Sequence, residues 1–144
     1  MERFRLQRVL GYRRQCEEAC EHALRQVQLL HQQETAQLEA LQAEAQAEHL
    51  EQARGLSLSP AELQNGQRYH QVLSQRIAAQ QDVVARAAEV VAEQRQQLLV
   101  ARQQTKVIEK LRDRAQRRAL LENLRREQQL FDELALTRFR HEPE

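Results

Sequence analysis

Apolar residues recur at steps of three and four over two long stretches separated by one break. In the first stretch Leu6, Val9, Cys16, Cys20, Ala23, Val27 and Leu30 keep that spacing, with Arg13 in the single gap. Alternating steps of three and four are the signature of a coiled-coil seam. The next apolar members, Leu38, Leu41 and Ala45, fall out of phase. Two successive steps of four across Glu34 predict a stutter, where a supercoil locally unwinds. The break runs from Gly55 to Pro60. Gly55 is placed to close a helix in the left-handed conformation. Ser59-Pro60-Ala61-Glu62 reads as a capping box with Pro at the first helical position. Asn65-Gly66 is a further turn signal, predicting frayed or kinked first turns or a true start at Gln67.

The second stretch is predicted to be helical to Arg138. Ile77, Val84, Val91 and Leu98 recur in one phase, with Thr105 next, while Leu73, Gln80, Ala87, Gln94 and Ala101 take the alternate seam position. Ile108, Leu111, Ala115, Leu120, Leu124, Leu130, Phe131 and Leu134 continue an apolar stripe in altered phase. Residues 139–144 read as a disordered tail.

These elements predict an all-α fold, with residues 1–144 forming a single elongated hairpin: helix 4–54, loop 55–59 and helix 60–138. Short connections between long helices favour antiparallel neighbours. At ~1.5 Å per residue the helices would measure roughly 77 and 118 Å, leaving the second to overhang by about 28 residues, or roughly 42 Å. Such a coiled-coil hairpin buries one stripe per helix and has no concave pocket. The overhanging C-terminal helix would still carry Leu120, Leu124, Phe131 and Leu134, and an unpaired apolar stripe calls for a partner.

Composition narrows the classes. The chain holds 24 Gln, 21 Leu and 19 Ala against three Gly and two Pro, which favours long helices over sandwiches, barrels or glycine-rich nucleotide-binding folds. No apolar run approaches the roughly 20 residues that cross a bilayer, and no apolar core follows Arg3, Arg5 and Arg8 as in a signal peptide. A reducing cytoplasm is the default, with Cys16 and Cys20 acting as small hydrophobes on one helix face. The net charge is +1, so its distribution matters more than its sum. Residues 34–51 carry a local charge of −5, and residues 101–126 carry +6. In an antiparallel hairpin Arg3, Arg5, Arg8, Arg13 and Arg14 would lie beside residues near 100–111, making the open end cationic.

Chemistry-bearing clusters are sparse. His22, His31, His49, His70 and His141 are scattered, and a structural zinc usually wants four ligands. Seam packing is the ordinary reading of Cys16, Cys20 and His22, and no metal or cofactor is expected. Asp132 and Glu133 sit where nothing would shift their pKa values, and no nucleophile–base set is apparent, so the chain is not read as an enzyme. The basic segment lacks interleaved aromatics and contains acidic residues, which disfavours nucleic acid and a membrane-surface helix. It reads either as a solvated face or as a surface for an acidic protein partner. Tyr69 and Phe131 are candidate binding anchors, or they simply cover the seam.

Several segments carry a family resemblance. Phe4-Arg5-Leu6-Gln7-Arg8-Val9-Leu10-Gly11-Tyr12-Arg13 resembles the start of the FliJ family, the small coiled-coil component of the flagellar type III export apparatus. Residues 106–114 (Lys106-Val107-Ile108-Glu109-Lys110-Leu111-Arg112-Asp113-Arg114) are similar to its lysine- and leucine-punctuated stretch. Glu127-Gln128-Gln129-Leu130-Phe131-Asp132-Glu133-Leu134-Ala135 resembles its glutamine-rich terminal stretch. Ala61-Glu62-Leu63-Gln64-Asn65, with Tyr69 and Leu73, resembles its loop-proximal segment, although Gly66 stands where the pattern leads one to expect an aromatic. The resemblance implies a stalk-like pair of helices that binds the hexameric flagellar export ATPase, promotes its assembly and activity, and links it to the cytoplasmic domain of the export gate and to export chaperones. It implies an ATPase-binding open end comprising Phe4, Arg5, Leu6, Lys106, Lys110, Arg112, Arg114, Arg117, Arg118, Leu124 and Phe131. It also implies gate-binding residues Tyr69 and Leu73 near the loop. The expected location is the cytoplasmic face of the inner membrane at the flagellar base, with no membrane insertion and no nucleic acid. The alternatives are the equivalent stalk of a virulence secretion system, a generic coiled-coil scaffold or homodimer built from the same seam, and a nucleic-acid-binding rod.

Overall fold

A computed structural model describes residues 5–55 and 59–141. The fold is all-α: two long helices packed against each other, α1 (Gln7–Arg54, 48 residues) and α2 (Pro60–His141, 82 residues). Phe4, loop residues 56–58 and tail residues 142–144 lie outside the described residues. The chain groups into two compact units. Unit 1 combines Met1–Glu17 with Ala101–Glu144, and unit 2 is Glu18–Val100.

The helix ends follow local chemistry. Glu62 N donates to Ser59 Oγ, and Ser59 N donates to Glu62 Oε2, both at 3.3 Å. This reciprocal pair satisfies two orphan donors at the start of α2. At the end of α1 the Gly55 N–H still reaches Glu51 O at 3.0 Å. Among the described residues no glycine has a positive φ, so the expected left-handed closure at Gly55 is absent. The turn expected at Asn65-Gly66 is also absent, because the helix runs straight through it. Here Gly66 faces the other helix: a Cβ on it would stand 2.5 Å from Gln52 Nε2. Phe139, Arg140 and His141 extend α2 three residues past the expected stop at Arg138.

In each unit the two segments run antiparallel. Unit 2 pairs Glu44 with Tyr69 and Glu34 with Gln80, so positions rise along one helix as they fall along the other. Unit 1 pairs Glu17 with Arg102 and Arg14 with Glu109 in the same sense.

Burial defines the seam. In unit 2, α2 contributes Leu73, Ile77, Gln80, Val84, Ala87, Val91, Gln94 and Leu98 in strict alternation of four and three, the two phases read from sequence. On α1 the covered positions include Cys20, Leu24, Val27, His31, Glu34, Leu38, Leu41, Ala45, Glu48 and Gln52, again alternating four and three. This corrects the predicted stutter. Leu30 is 55% exposed and Val9 38% exposed, and the seam passes instead through their neighbours His31 and Leu10. With His31 in place of Leu30 the repeat needs no slip. In unit 1 the seam runs through Leu6, just before α1, then Leu10, Arg13 and Glu17 on α1, and through Ala101, Thr105, Ile108 and Arg112 on α2. Leu111, predicted for this stripe, is exposed, and Arg112 takes the position.

Polar seam residues are tied locally. Gln80 Nε2 donates to Glu34 O at 2.9 Å and Glu34 Oε2 at 2.6 Å. Thr105, only 4% exposed, donates back to Ala101 O at 3.0 Å, the usual way a hydroxyl is satisfied within a helix. Arg13 Nη1 donates to Gln104 Oε1 at 2.6 Å.

Gly11 sits within α1 with nothing near an added Cβ. Gly11→Ala is expected to stabilise the protein by about 1 kcal/mol, because alanine loses less backbone entropy in a helix. Gly66→Ala gains less, since Gln52 must move. Urea titrations followed at 222 nm read both, and equal gains would contradict the Gly66–Gln52 approach.

Candidate partner-binding surfaces

The basic residues of unit 1 divide into those spent within the unit and those turned outward. Arg14 Nη2 meets Glu109 Oε1 at 3.4 Å, and Arg102 Nε meets Glu17 Oε1 at 3.6 Å. With Arg13 on Gln104, these contacts flank the seam. Each exposed pair contributes little alone, but together they favour one register. Arg112, grouped by sequence with the outward cations, is half-buried at the seam. Its Nη2 lies 3.6 Å from Asp113 Oδ1, and its Nε is buried without a hydrogen-bond partner. A charged group so placed cannot be swapped as freely as a surface arginine.

The outward set is Lys106, Lys110, Arg114, Arg117 and Arg118, all exposed. At about 100° per residue they fall within about 120° of the circumference of α2, on the side away from seam residues Thr105, Ile108 and Arg112. Arg5 is exposed and Leu6 half-buried. From Asp113 to His141 every residue of α2 is exposed. Leu120, Leu124, Phe131 and Leu134 share one stripe there at helical spacing, and Phe131 is 70% exposed. The cationic face and this stripe adjoin on the helix surface.

In unit 2 the two residues read as gate-binding separate. Leu73 is only 1% exposed and belongs to the seam, so any influence it has on a partner runs through the packing it supports. Tyr69 is on the surface, where its hydroxyl donates to Glu44 Oε1. That bond, with the nearby charges of Glu44 and Glu48, holds the phenol pKa above its ordinary value, opposed weakly by Arg76. The same acidic stretch that sets the −5 local charge thus supplies the acceptor.

Cys16 and Cys20 are free and half-buried. Among the described residues no group of three or more His, Cys, Asp or Glu side chains could hold a metal ion, and no helix is long and apolar enough to cross a membrane.

Paired helices with a polar-studded seam, and with cationic and apolar faces turned outward on α2, define a two-helix coiled-coil protein. A family model described as the flagellar FliJ protein matches residues 1–144, the whole chain, and the chain belongs to the FliJ family. Membership makes it a component of the flagellar export apparatus, in a family of non-enzymatic structural and escort proteins. Neither the search of curated proteins nor that of solved structures returned a match.

Two predictions follow the geometry. Leu73→Ala is expected to cost about 2–4 kcal/mol of stability, as for a fully buried leucine, whereas Tyr69→Phe should change stability far less; denaturant midpoints compare them. The Tyr69 phenol is expected to ionise above 10.0. Its folded pKa is raised, so its bond to Glu44 contributes below the unfolded pKa and is lost as pH rises through the folded one. Absorbance at 295 nm in a Tyr12→Phe background reads that titration, and adding Glu44→Gln should move it down toward the ordinary value. An unmoved curve would remove the Glu44 contact.

Proposed function

We propose that this protein is the stalk-like element of the flagellar export apparatus. It binds the hexameric export ATPase through unit 1, promotes ring assembly and activity, and contacts the export gate and export chaperones. The observation that carries this reading is the α2 segment 113–141, fully exposed yet bearing an apolar stripe beside a cationic face. An exposed apolar stripe of this length is stabilised by a partner. We read the segment as an overhang beyond the paired helices. The outward cations Lys106, Lys110, Arg114, Arg117 and Arg118 select an acidic surface and speed encounter. Leu124 and Phe131 supply desolvated anchors, and Phe4, Arg5 and Leu6 complete this set. Arg112 positions this end by closing the seam.

Tyr69, with Glu44, forms the surface of unit 2 that faces the cytoplasmic domain of the gate, and Leu73 supports it from beneath. The working place of the protein is the cytoplasmic face of the inner membrane at the flagellar base. The mechanism is binding energy alone: a stalk that binds the assembled ring better than free subunits shifts the equilibrium toward the ring by that difference.

The test uses the full chain and the purified export ATPase. Arg114, Arg117 and Arg118 are exposed, so reversing all three to Glu should leave helix content intact. The triple variant is expected to bind the ATPase at least about tenfold more weakly, with a shallower salt dependence, and to stimulate hydrolysis less. Unchanged affinity would contradict the cationic-face assignment.

A further inference from the structure

Within unit 1, α2 presents a helical surface from Asp113 to His141 on which every residue is exposed. Two apolar stripes run along it and share Leu124 and Phe131. The stripe through Leu120 and Leu134 seats the charged Glu127 at its centre. The other runs through Leu121, Leu124, Gln128, Phe131, Ala135 and Arg138 in alternating steps of three and four, with a neutral amide at its centre. That spacing is a second coiled-coil seam, and α1 covers no residue of it. Leu121, Leu124 and Phe131 are each more than half exposed.

Charge placement beside this seam selects its mate. Flanking it on one side are Arg118, Arg125, Asp132 and Phe139, and on the other Leu120, Glu127, Leu134 and His141, each seven apart. Among the described residues neither Arg125 nor Asp132 takes part in an ion pair. A second copy of the segment laid antiparallel, with a twofold axis between Gln129 and Leu130, layers Leu121 on Arg138, Leu124 on Ala135 and Gln128 on Phe131, each twice. Flanking positions of the same side then meet across the seam, so Arg125 meets Asp132 and Arg118 meets the ring of Phe139, again twice each. Each such pair is offset by two residues, about 3 Å along the axis, which an arginine side chain spans. Other arrangements oppose like charges. Sliding by one heptad sets Arg125 on Arg125 and Glu127 on Glu127 in one direction, and Asp132 on Asp132 in the other. A parallel pair in register brings Glu127 beside Asp132 twice. The antiparallel register at the 129–130 midpoint satisfies itself, as an isologous twofold contact requires.

We propose that residues 121–138 of α2 pair with the same segment of a second copy as an antiparallel coiled coil, closed by two Arg125–Asp132 ion pairs. The contact covers Leu124 and Phe131. Those are the anchors assigned above to the export ATPase, so a second copy and the ATPase exclude one another. That exclusion rests on the ATPase reading, whereas the self-pairing rests on the segment's own residues.

Sedimentation equilibrium on the full chain across a wide concentration range tests the pairing without the ATPase. The expected result is a reversible monomer–dimer equilibrium that Leu124→Glu abolishes. Arg125→Glu and Asp132→Arg should each weaken dimerisation about tenfold, since each replaces two attractions with two repulsions. The double variant R125E/D132R should recover the original constant. A chain that stays monomeric throughout, or a dimer indifferent to Leu124→Glu, would overturn the proposal. So would a dimer that Asp132→Arg strengthens, which is the mark of parallel pairing, or a double variant no stronger than either single one. Added export ATPase is expected to dissociate the dimer as it binds. A dimer that stays intact on the bound ATPase would overturn the exclusion and leave the self-pairing standing.

Discussion

The contact on which this structure turns is the one between Gln80 and Glu34, an amide in the seam donating to both a backbone carbonyl and a carboxylate of the facing helix. Apolar seam residues stabilise pairing but discriminate poorly between registers, because leucine packs acceptably against many neighbours. A polar group half-buried in a seam tolerates only registers that satisfy it. Gln80 therefore restricts unit 2 to the pairing in which Glu34 is level with it. The rest of unit 2 follows: Leu73 lies fully covered, Gly66 lies close to Gln52, and Tyr69 comes within reach of Glu44.

Unit 1 is specified by a different balance. Its seam is short and contains Arg13, Glu17, Thr105 and Arg112 among Leu6, Leu10, Ala101 and Ile108. Among its described residues Leu10 is the one fully buried large side chain. Little apolar area is removed from water there, so side-chain pairs beside the seam carry more of the specificity. Electrostatic contacts of this kind weaken with salt, which makes unit 1 the more adjustable of the two.

Much of this was legible in the chain. The α2 seam from Leu73 to Thr105 could be read directly, because strict seven-residue repeats of large apolar groups have no competing phase. The capping box at Ser59 and Glu62 was equally clear. Sequence reading failed on α1 at the positions where polar residues occupy the seam. Leu30 stands next to His31 and Val9 next to Leu10, so hydrophobicity alone chose the wrong neighbour and then required a stutter to recover phase. Asn65-Gly66 misled for a related reason: turn propensity is local, and the close approach of Gln52 is not. The candidate surfaces were only partly legible. Exposed Lys106, Lys110, Arg114, Arg117 and Arg118 could be found as a charge run. That Arg112 is half-buried depended on the pairing with α1, which residue types along one helix do not disclose.

The central claim is that α1 keeps one unbroken register past its polar positions, held by Glu34 and Gln80. A double-mutant cycle of Glu34→Ala and Gln80→Ala, read by urea unfolding of the full chain, tests it most directly. A coupling of about 0.5–1 kcal/mol is expected, since the carboxylate contact is lost in both single variants while the carbonyl contact survives Glu34→Ala. Strictly additive effects would place the two side chains apart and contradict the register.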